Sequence, residues 1–599
     1  MKKLLSLFIL SIAVLPLMAE PYFVRVNGSR DYAASATGQR DFQGRDQYVA
    51  ENVSLQAGDK LTCFNKGTNA EWNIAVIDQY GAYKNFATGS DALTCHVAGT
   101  YNVYIKMKMN DDMWYIESVG GNSGGDNGGD NNGGNQGGGT EYSSAVPAEC
   151  GDVMLQAFYW NSYKGGQSGD NYGNTKWTTL KGQAEEISRY FDLVWLAPSH
   201  SANDENGYLP KRYSVQSSYH GTNTDLKGLI EELHKGNTRV LADIVINHCA
   251  NKSSWCDYSD LNFGDFGTFY PKSTWITKDD EGSSRCTVGS NNDDGQESNR
   301  NYGAARDWDH KNAEVQAMCK AYLQWLIKYY GYDGFRYDYC VGYHVSHIND
   351  YNTATKPYFS VIEYWNGDPA RLKTRIDEAG KNTLVFDFAN KYTALRDGIF
   401  FGNYNNCKNA GLRGKGYQRY AVTFVDNHDT FHRSDAQDVA NKSDGSSINN
   451  ESLILQCNAY ILSLPGVPCV FYPHWVRYGD EIKKMITARK AAGVHSESTM
   501  EEEAGSGYYR ATVHGKKGNI KLMLGSAASD AQPAGYTLAC KGDKYAVYYT
   551  GMGSEVEQTE LGNTVLDPAE PMYNILGQRV DETYRGIVIQ NGKKYLKTN

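Results

Sequence analysis

Between residues 142 and 490, short apolar runs alternate with longer stretches in which apolar residues recur every three or four positions. That alternation predicts a parallel sheet wrapped by helices. The runs at 153–158, 193–197, 240–245, 334–338, 359–363, 384–388, 422–425 and 469–472 read as strands, and eight is the number that closes a (β/α)8 barrel. Leu226, Leu229, Ile230 and Leu233 keep helical spacing in one intervening segment, and Val315, Met318, Tyr322 and Leu326 in another. The stretch from Cys249 to Asp307 breaks the rhythm, being polar and too long for an ordinary loop. The expected fold class is therefore α/β, a TIM barrel with a subdomain (about 249–306) inserted after strand 3.

The flanks follow a different pattern. Residues 20–118 alternate apolar and polar positions between turn signals, which predicts an antiparallel β-sandwich. Trp72, Trp114 and Tyr115 either form a sugar-stacking platform on it or fill its core. Residues 119–141 are nearly all Gly, Asn and Asp, the composition of a solvated tether. Past 490 the helical period stops, and runs at 508–513, 520–524 and 545–549 predict a C-terminal antiparallel β domain over 491–552. The last stretch, 553–599, resembles the sorting tails of type IX secretion substrates, or adds one more hairpin to the preceding sheet. At the other end, Lys2 and Lys3, an apolar run over 4–17 and a small residue at Ala19 read as a signal peptide, 1–19. No Cys follows it to carry a lipid, and no later run is long enough to span a bilayer. A secreted protein, extracellular or attached to the cell surface, is expected.

Composition narrows the ligand. The net charge of −10 argues against nucleic acid and anionic membranes. Aromatics reach 13%, with 45 Tyr and 11 Trp, enough to supply stacking surfaces for a neutral ligand as well as a core. The 12 cysteines are too few for a disulfide framework in 599 residues. Cys63 and Cys95 are one candidate pair, Cys249, Cys256 and Cys286 lie close in sequence, and Cys319, Cys457 and Cys469 fall in apolar runs as buried thiols. No Cys/His spacing suggests zinc.

Charged residues collect at four strand ends: Asp243 to His248, Gly334 to Asp338, Val361 to Tyr364 and Phe424 to Asp429. Arg336 and Asp338, two apart on a strand, share a face. So many buried charges are hard to explain by packing, because each is costly to desolvate. Together with Pro198-Ser199-His200-Ser201, Gly207-Tyr208-Leu209-Pro210 and 466–472, these segments resemble the α-amylase family of retaining glycoside hydrolases, and within it the plant-type α-amylases. The likeness spans about 150–550.

The resemblance implies roles. Asp338 would be the nucleophile, Glu363 the general acid and base, and Asp429 the stabiliser of the distorted sugar. Arg336 would keep Asp338 ionised, His248 and His428 would bind the sugar, and Tyr208 would stack beneath it. Neighbours agree with the split: Asp338 has an arginine two residues away, while Glu363 is flanked by Ile362, Tyr364 and Trp365, an apolar setting that raises a carboxyl pKa. Ca²⁺ is the implied cofactor, held by Asn247, Asp307 and the Gly342 carbonyl, unless Asp307 only caps the helix that follows. One departure stands out. Where the family has Lys and then His or Gly, this chain has Val341-Gly342, with Tyr343 or His344 as stand-ins on the acceptor side. The N-terminal segment is similar to small β-sandwich modules that accompany starch-degrading enzymes.

The expected function is that of a secreted endo-acting α-amylase. It would hydrolyse internal α-1,4-glucosidic bonds of starch, amylose, amylopectin, glycogen or maltooligosaccharides, as a monomer without nucleic-acid or membrane partners. The alternatives are a transglycosylase or debranching relative, and a surface starch-binding protein without turnover.

Overall fold

The computed structural model describes residues 22–40, 46–118, 142–431 and 450–551 with short internal gaps (67, 75–76, 82–85, 89–91, 108–112, 167–169, 297–301), residue 448, and parts of 572–597. The signal-like segment and the Gly-rich stretch lie outside the described residues.

The centre is a closed barrel of eight parallel strands. In chain order they are β1 (Met154–Gln156), β2 (Leu193–Trp195), β3 (Arg239–Ile244), β4 (Gly334–Tyr337), β5 (Phe359–Ile362), β6 (Leu384–Phe386), β7 (Ala421–Phe424) and β8 (Val467–Phe471). Their two faces are both apolar but separate cleanly. Met154, Leu193, Trp195, Leu241, Phe359, Val361, Phe386, Val422 and Cys469 cluster inside the barrel. The alternate residues Leu155, Val194, Ala242, Phe335, Tyr337, Ile362 and Val470 join the core shared with the helices. This period of two decides where the site lies: Asp243, Arg336, Asp338 and Glu363 continue the inward rows of β3, β4 and β5. Gly334 is required at the start of β4, where a Cβ would stand 2.1 Å from the Phe359 carbonyl oxygen.

Helices wrap the barrel: α1 (Trp177–Tyr190), α2 (Asn223–Lys235), α3 (Ala313–Tyr330), α4 (Ser346–Thr355), α5 (Pro369–Glu378), α6 (Phe388–Asn390), α7 (Glu451–Ser463) and α8 (Tyr472–Ala492). After α6 the chain continues as a π-helical stretch, Lys391–Phe400. The apolar residues singled out in α2 and α3 are buried. A Thr222–Asp225 capping box starts α2, and Asn312 caps α3 by accepting the Glu314 N–H.

The chain after β3 leaves the barrel as expected. It contains two short strands, Leu261–Asn262 and Thr268–Phe269, several 3-10 turns and the disulfide Cys256–Cys286. Its two ends meet in an antiparallel pair, His248 opposite Asp307 and Cys249 opposite Arg306. Asp307 therefore sits in a strand at the neck of the insertion. It does not cap α3, a task that falls to Asn312.

A five-stranded antiparallel sheet follows α8, from Thr499–Gly505 to Tyr545–Tyr549, and packs on α7 and α8. The strands Met572–Asn574, Arg579–Val580, Gly586–Gln590 and Lys593–Lys597 pair with one another, so the described tail is a sheet of its own and not a hairpin of the preceding one. The N-terminal segment forms a ten-stranded sheet, antiparallel except where Met113–Ser118 runs parallel to Ile77–Gly81. Trp114 is 0% exposed in its core, so it cannot serve a stacking platform. Trp72 is half-buried against Tyr22, and the Tyr115 side chain lies outside the described residues. The Cys63–Cys95 bridge is not formed: Cys95 is a buried thiol donating to the Val97 carbonyl. Cys319, Cys457 and Cys469 are buried thiols, as their apolar runs suggested. Among the described residues no helix is long and apolar enough to cross a membrane.

Candidate active site

The carboxyl ends of β3, β4 and β5 bring three acids onto one guanidinium. Arg336, 0% exposed, donates through Nη1 to Asp243 Oδ1 (2.7 Å) and Asp338 Oδ1 (2.6 Å), while Nη2 lies 3.1 Å from Glu363 Oε1. Asp243 Oδ2 accepts from Trp195 Nε1 (3.1 Å) and the Tyr208 hydroxyl (2.9 Å). Glu363 Oε2 accepts the Tyr339 N–H at 3.1 Å. Tyr339 holds φ 49°, a left-handed conformation unusual for an aromatic residue and one that aims its amide at the acid.

One cation cannot neutralise three buried carboxylates. Burial pushes Asp243 up to about 6 against the pull of Arg336. It pushes Asp338 well above the ordinary carboxylate range too, opposed by Arg336 and reinforced by the charges of Glu363 and Asp243. Asp243 and Asp338, which share Nη1, are thus both biased toward the neutral form despite the guanidinium. This corrects two sequence arguments. Arg336 is shared, so it does not single out Asp338 for ionisation. Ile362 and Tyr364 face the helices, so they do not supply an apolar setting for Glu363.

Across the mouth, the turn after β7 carries His428 and Asp429. Gln156 Nε2 donates to His428 Nδ1 (3.0 Å), which assigns the ring proton to Nε2, 3.2 Å from Asp429 Oδ2. The His428 ring lies nearly parallel to Tyr208, 5.1 Å between centroids at 7°, and Trp160 stacks on Tyr208 at 6.1 Å and 8°. His248 Nε2 donates to the Tyr208 carbonyl (2.8 Å), and its ring stacks on Tyr302 at 3.9 Å and 6°. Burial lowers the His248 pKa to about 4, so the ring is neutral.

At the neck of the insertion, Asn247 Nδ2 donates to Asp307 Oδ1 (3.0 Å), and Asp307 Oδ2 accepts the Tyr302 N–H (3.2 Å). Gly342 is buried and its N–H bonds the Tyr339 carbonyl (3.1 Å). An amide, a carboxylate and backbone carbonyls are the donor chemistry of a hard cation, so Asn247 and Asp307 fit Ca²⁺. Among the described residues no group of three or more His, Cys, Asp or Glu side chains could hold a metal, so carbonyls would have to complete the shell.

The stand-ins for the absent lysine fare unequally. Tyr343 is buried and stacked on His310 (4.2 Å), away from the cleft, whereas His344 is half-buried and bonds Ser346. Trp365 is the exposed aromatic at this rim, its Nε1 on the Tyr392 hydroxyl and its ring on Phe388. Gln156, Trp160, Trp195, Tyr302 and Tyr339 were not singled out by sequence. Gln156 and Trp195 continue the inward rows of β1 and β2 and could have been found by counting twos.

Fold and site place the chain among (β/α)8-barrel proteins that gather acidic groups at the carboxyl ends of their strands. Comparison with known proteins is more specific. The alpha-amylase catalytic-domain family model matches residues 189–373, which include Asp243, Arg336, Asp338 and Glu363. A probable alpha-amylase 2 of Arabidopsis thaliana is 31% identical over 429 residues, covering 66% of this chain and 94% of that protein. A glucan 1,4-alpha-maltotetraohydrolase of Stutzerimonas stutzeri is 27% identical, covering 63% of this chain and 68% of that one. The solved structure of an Anoxybacillus alpha-amylase superposes with a TM-score of 0.50 at 16% identity, over 67% of this chain and 99% of the other. The chain belongs to the alpha-amylase family of glycoside hydrolases.

Proposed function

We propose that the protein is a secreted, endo-acting α-amylase that hydrolyses internal α-1,4-glucosidic bonds of starch-like glucans with retention of configuration. The observation that carries this reading is the joint grip of Asp338 and Glu363 on Arg336. Two carboxyl groups on one planar fork stay close, which supports the short separation of retaining enzymes, about 5–5.5 Å. The names of the relatives support a starch-type substrate.

Asp338 attacks the anomeric carbon while the glycosidic C–O bond breaks and Glu363 gives the leaving oxygen its proton. The scheme requires that proton on Glu363 as Asp338 becomes the attacking anion. Water then loses a proton to Glu363 and attacks the same carbon, freeing Asp338. Asp429 and His428 hydrogen-bond the sugar, His248 assists from the opposite wall, and Tyr208 forms the floor. Calcium, held by Asn247, Asp307 and the Gly342 carbonyl, would tie the insertion to the barrel and keep His248 in place. The signal peptide 1–19 and a sorting tail over 553–599 would deliver the enzyme outside the cell or to its surface, with 20–118 as a starch-binding module.

The test is hydrolysis of soluble starch by wild type and Asp338→Asn, following product sizes and anomeric form by NMR. Early α-anomeric maltooligosaccharides from wild type, with a loss on the order of 10⁴-fold in the variant, are expected. β-Anomers would refute retention. Products longer than the substrate would indicate transglycosylation, and bound but uncut starch a binding protein.

A further inference from the structure

The turn that presents His428 and Asp429 to the cleft is held from behind by a buried ion pair. Lys391 and Asp426 are each 1% exposed. Lys391 Nζ donates to Asp426 Oδ1 (2.7 Å) and to the Val425 carbonyl (2.6 Å). Asp426 Oδ1 also accepts from Thr430 Oγ1 (2.9 Å), and Oδ2 accepts the Ile448 N–H (3.0 Å). Inside the turn, Asn427 Oδ1 accepts the N–H groups of Asp429 (2.9 Å) and Thr430 (2.8 Å), and Thr430 Oγ1 accepts the Asn427 N–H (3.0 Å). Lys391 thus holds the start of the turn at Val425 and Asp426, and the Asp426 carboxylate reaches its far end at Thr430.

The backbone around Lys391 is unusual as well. It opens the π-helical stretch Lys391–Phe400, and its ammonium stands 5.7 Å from the ring centroid of Phe424, the last residue of β7. On the other side, His474 packs edge-on against Phe471 (5.6 Å) and Phe431 (6.4 Å). Burial lowers its pKa to about 4, so the ring is neutral and Lys391 is the cation beside Asp426. A buried ion pair is often replaceable by apolar groups without loss of stability, so retaining one here points to geometry as its use.

We propose that Lys391 is a positioning residue for the reaction: acting through Asp426 and the Val425 carbonyl, it sets where Asp429 and His428 stand against the sugar. The inference rests on the reading of Asp429 as the transition-state stabiliser. Loss of the tether shifts Asp429 without removing it, so kcat suffers more than KM.

Lys391→Met keeps the stem and removes the charge. With maltooligosaccharides, kcat is expected to fall roughly 10- to 100-fold, the scale of an ångström's misplacement, with KM changed less than about threefold. Lys391→Arg, which keeps a cation, recovers part of kcat. In Lys391→Met/Asp426→Asn the stranded carboxylate is gone, so the thermal midpoint returns toward wild type while kcat stays low. That divergence separates positioning from stability and holds the test open if Lys391→Met alone does not fold. The inference is overturned if the folded single variant keeps wild-type kcat, or if kcat and thermal midpoint recover together in the double variant. Asp429→Asn run alongside distinguishes the two failures: an active Asp429→Asn removes the reading beneath the inference, whereas an inactive one beside an unaffected Lys391→Met removes the inference alone.

Discussion

Arg336 is the residue whose removal the geometry makes most consequential. Its guanidinium contacts Asp243, Asp338 and Glu363 at 2.7, 2.6 and 3.1 Å with no exposure to water, and it lies 4.9 Å from the Trp195 ring centroid. Arg336→Met fills much the same space but strands the carboxylates. Breaking a buried pair from one side destabilises by about 3–5 kcal/mol. The lost cation–π contact adds ~1 kcal/mol. Part of this is recovered by taking up protons, and that gives the prediction a sign. Without the guanidinium, the folded-state pKa values of Asp243 and Asp338 rise further above the unfolded value of about 3.9. The folded variant then binds more protons than its unfolded state, so its stability falls as pH rises. Urea unfolding of wild type and Arg336→Met at pH 7 and pH 5 should show a deficit of about 4–6 kcal/mol at pH 7, shrinking by ~1 kcal/mol or more at pH 5. Starch hydrolysis is lost at both. A deficit below about 1 kcal/mol, or one equal at the two pH values, would refute a shared, charge-starved acid set.

Three other outcomes are expected. His474 is held at about 4 against an unfolded value near 6.5, so its contribution is present above pH 6.5 and disappears as pH falls through 4. His474→Phe should therefore flatten the stability profile by up to ~1.4 kcal/mol per pH unit in that window, and parallel profiles would show that the ring titrates normally. The Cys256–Cys286 bridge closes a separation of 30 residues in the insertion, so Cys256→Ser should lower stability by about 3 kcal/mol in thermal unfolding, and an unchanged midpoint would count against it. Chelation of calcium should lower the thermal midpoint and raise protease sensitivity between 249 and 306, with Asn247→Ala and Asp307→Ala insensitive to added calcium. Equal response in wild type and variants would remove these ligands.

The barrel was legible because each strand is a run of apolar residues bounded by turn residues, and each run survived as a strand of the closed sheet. Asp338 and Glu363 were legible because each closes its run just past the last apolar residue, Tyr337 and Ile362. Harder to read was anything set by residues distant in sequence. Tyr302 reaches His248 from an irregular part of the insertion, where no period marks an important position. The left-handed turn at Tyr339 carries no glycine to announce it. Nothing in the spacing of Cys63 and Cys95 forbids a bridge, and only the sheet shows that none forms. The setting of Glu363 was misjudged for a different reason: sequence neighbours were treated as spatial neighbours, although on a strand they point to opposite faces.

That misjudgement changes how the acid and the nucleophile come to differ. If Arg336 had belonged to Asp338 alone, the free enzyme would already hold an ionised nucleophile beside a protonated acid. With the guanidinium shared and Asp338 itself raised by burial, Arg336 alone does not fix Asp338 as the anion before substrate arrives. In the proposed mechanism, a glycosidic oxygen lodged beside Glu363 would favour a proton there, while an anomeric carbon developing positive charge would favour the anion at Asp338. The substrate would thus complete the division of labour that β4 and β5 begin by presenting one carboxyl group each. On the same proposal, charge near the anomeric carbon, set by Asp429 and His428, would help decide where the proton settles as well as how well the distorted sugar is bound. For that reason the turn after β7, and the buried lysine behind it, bear on the chemical step and not only on affinity.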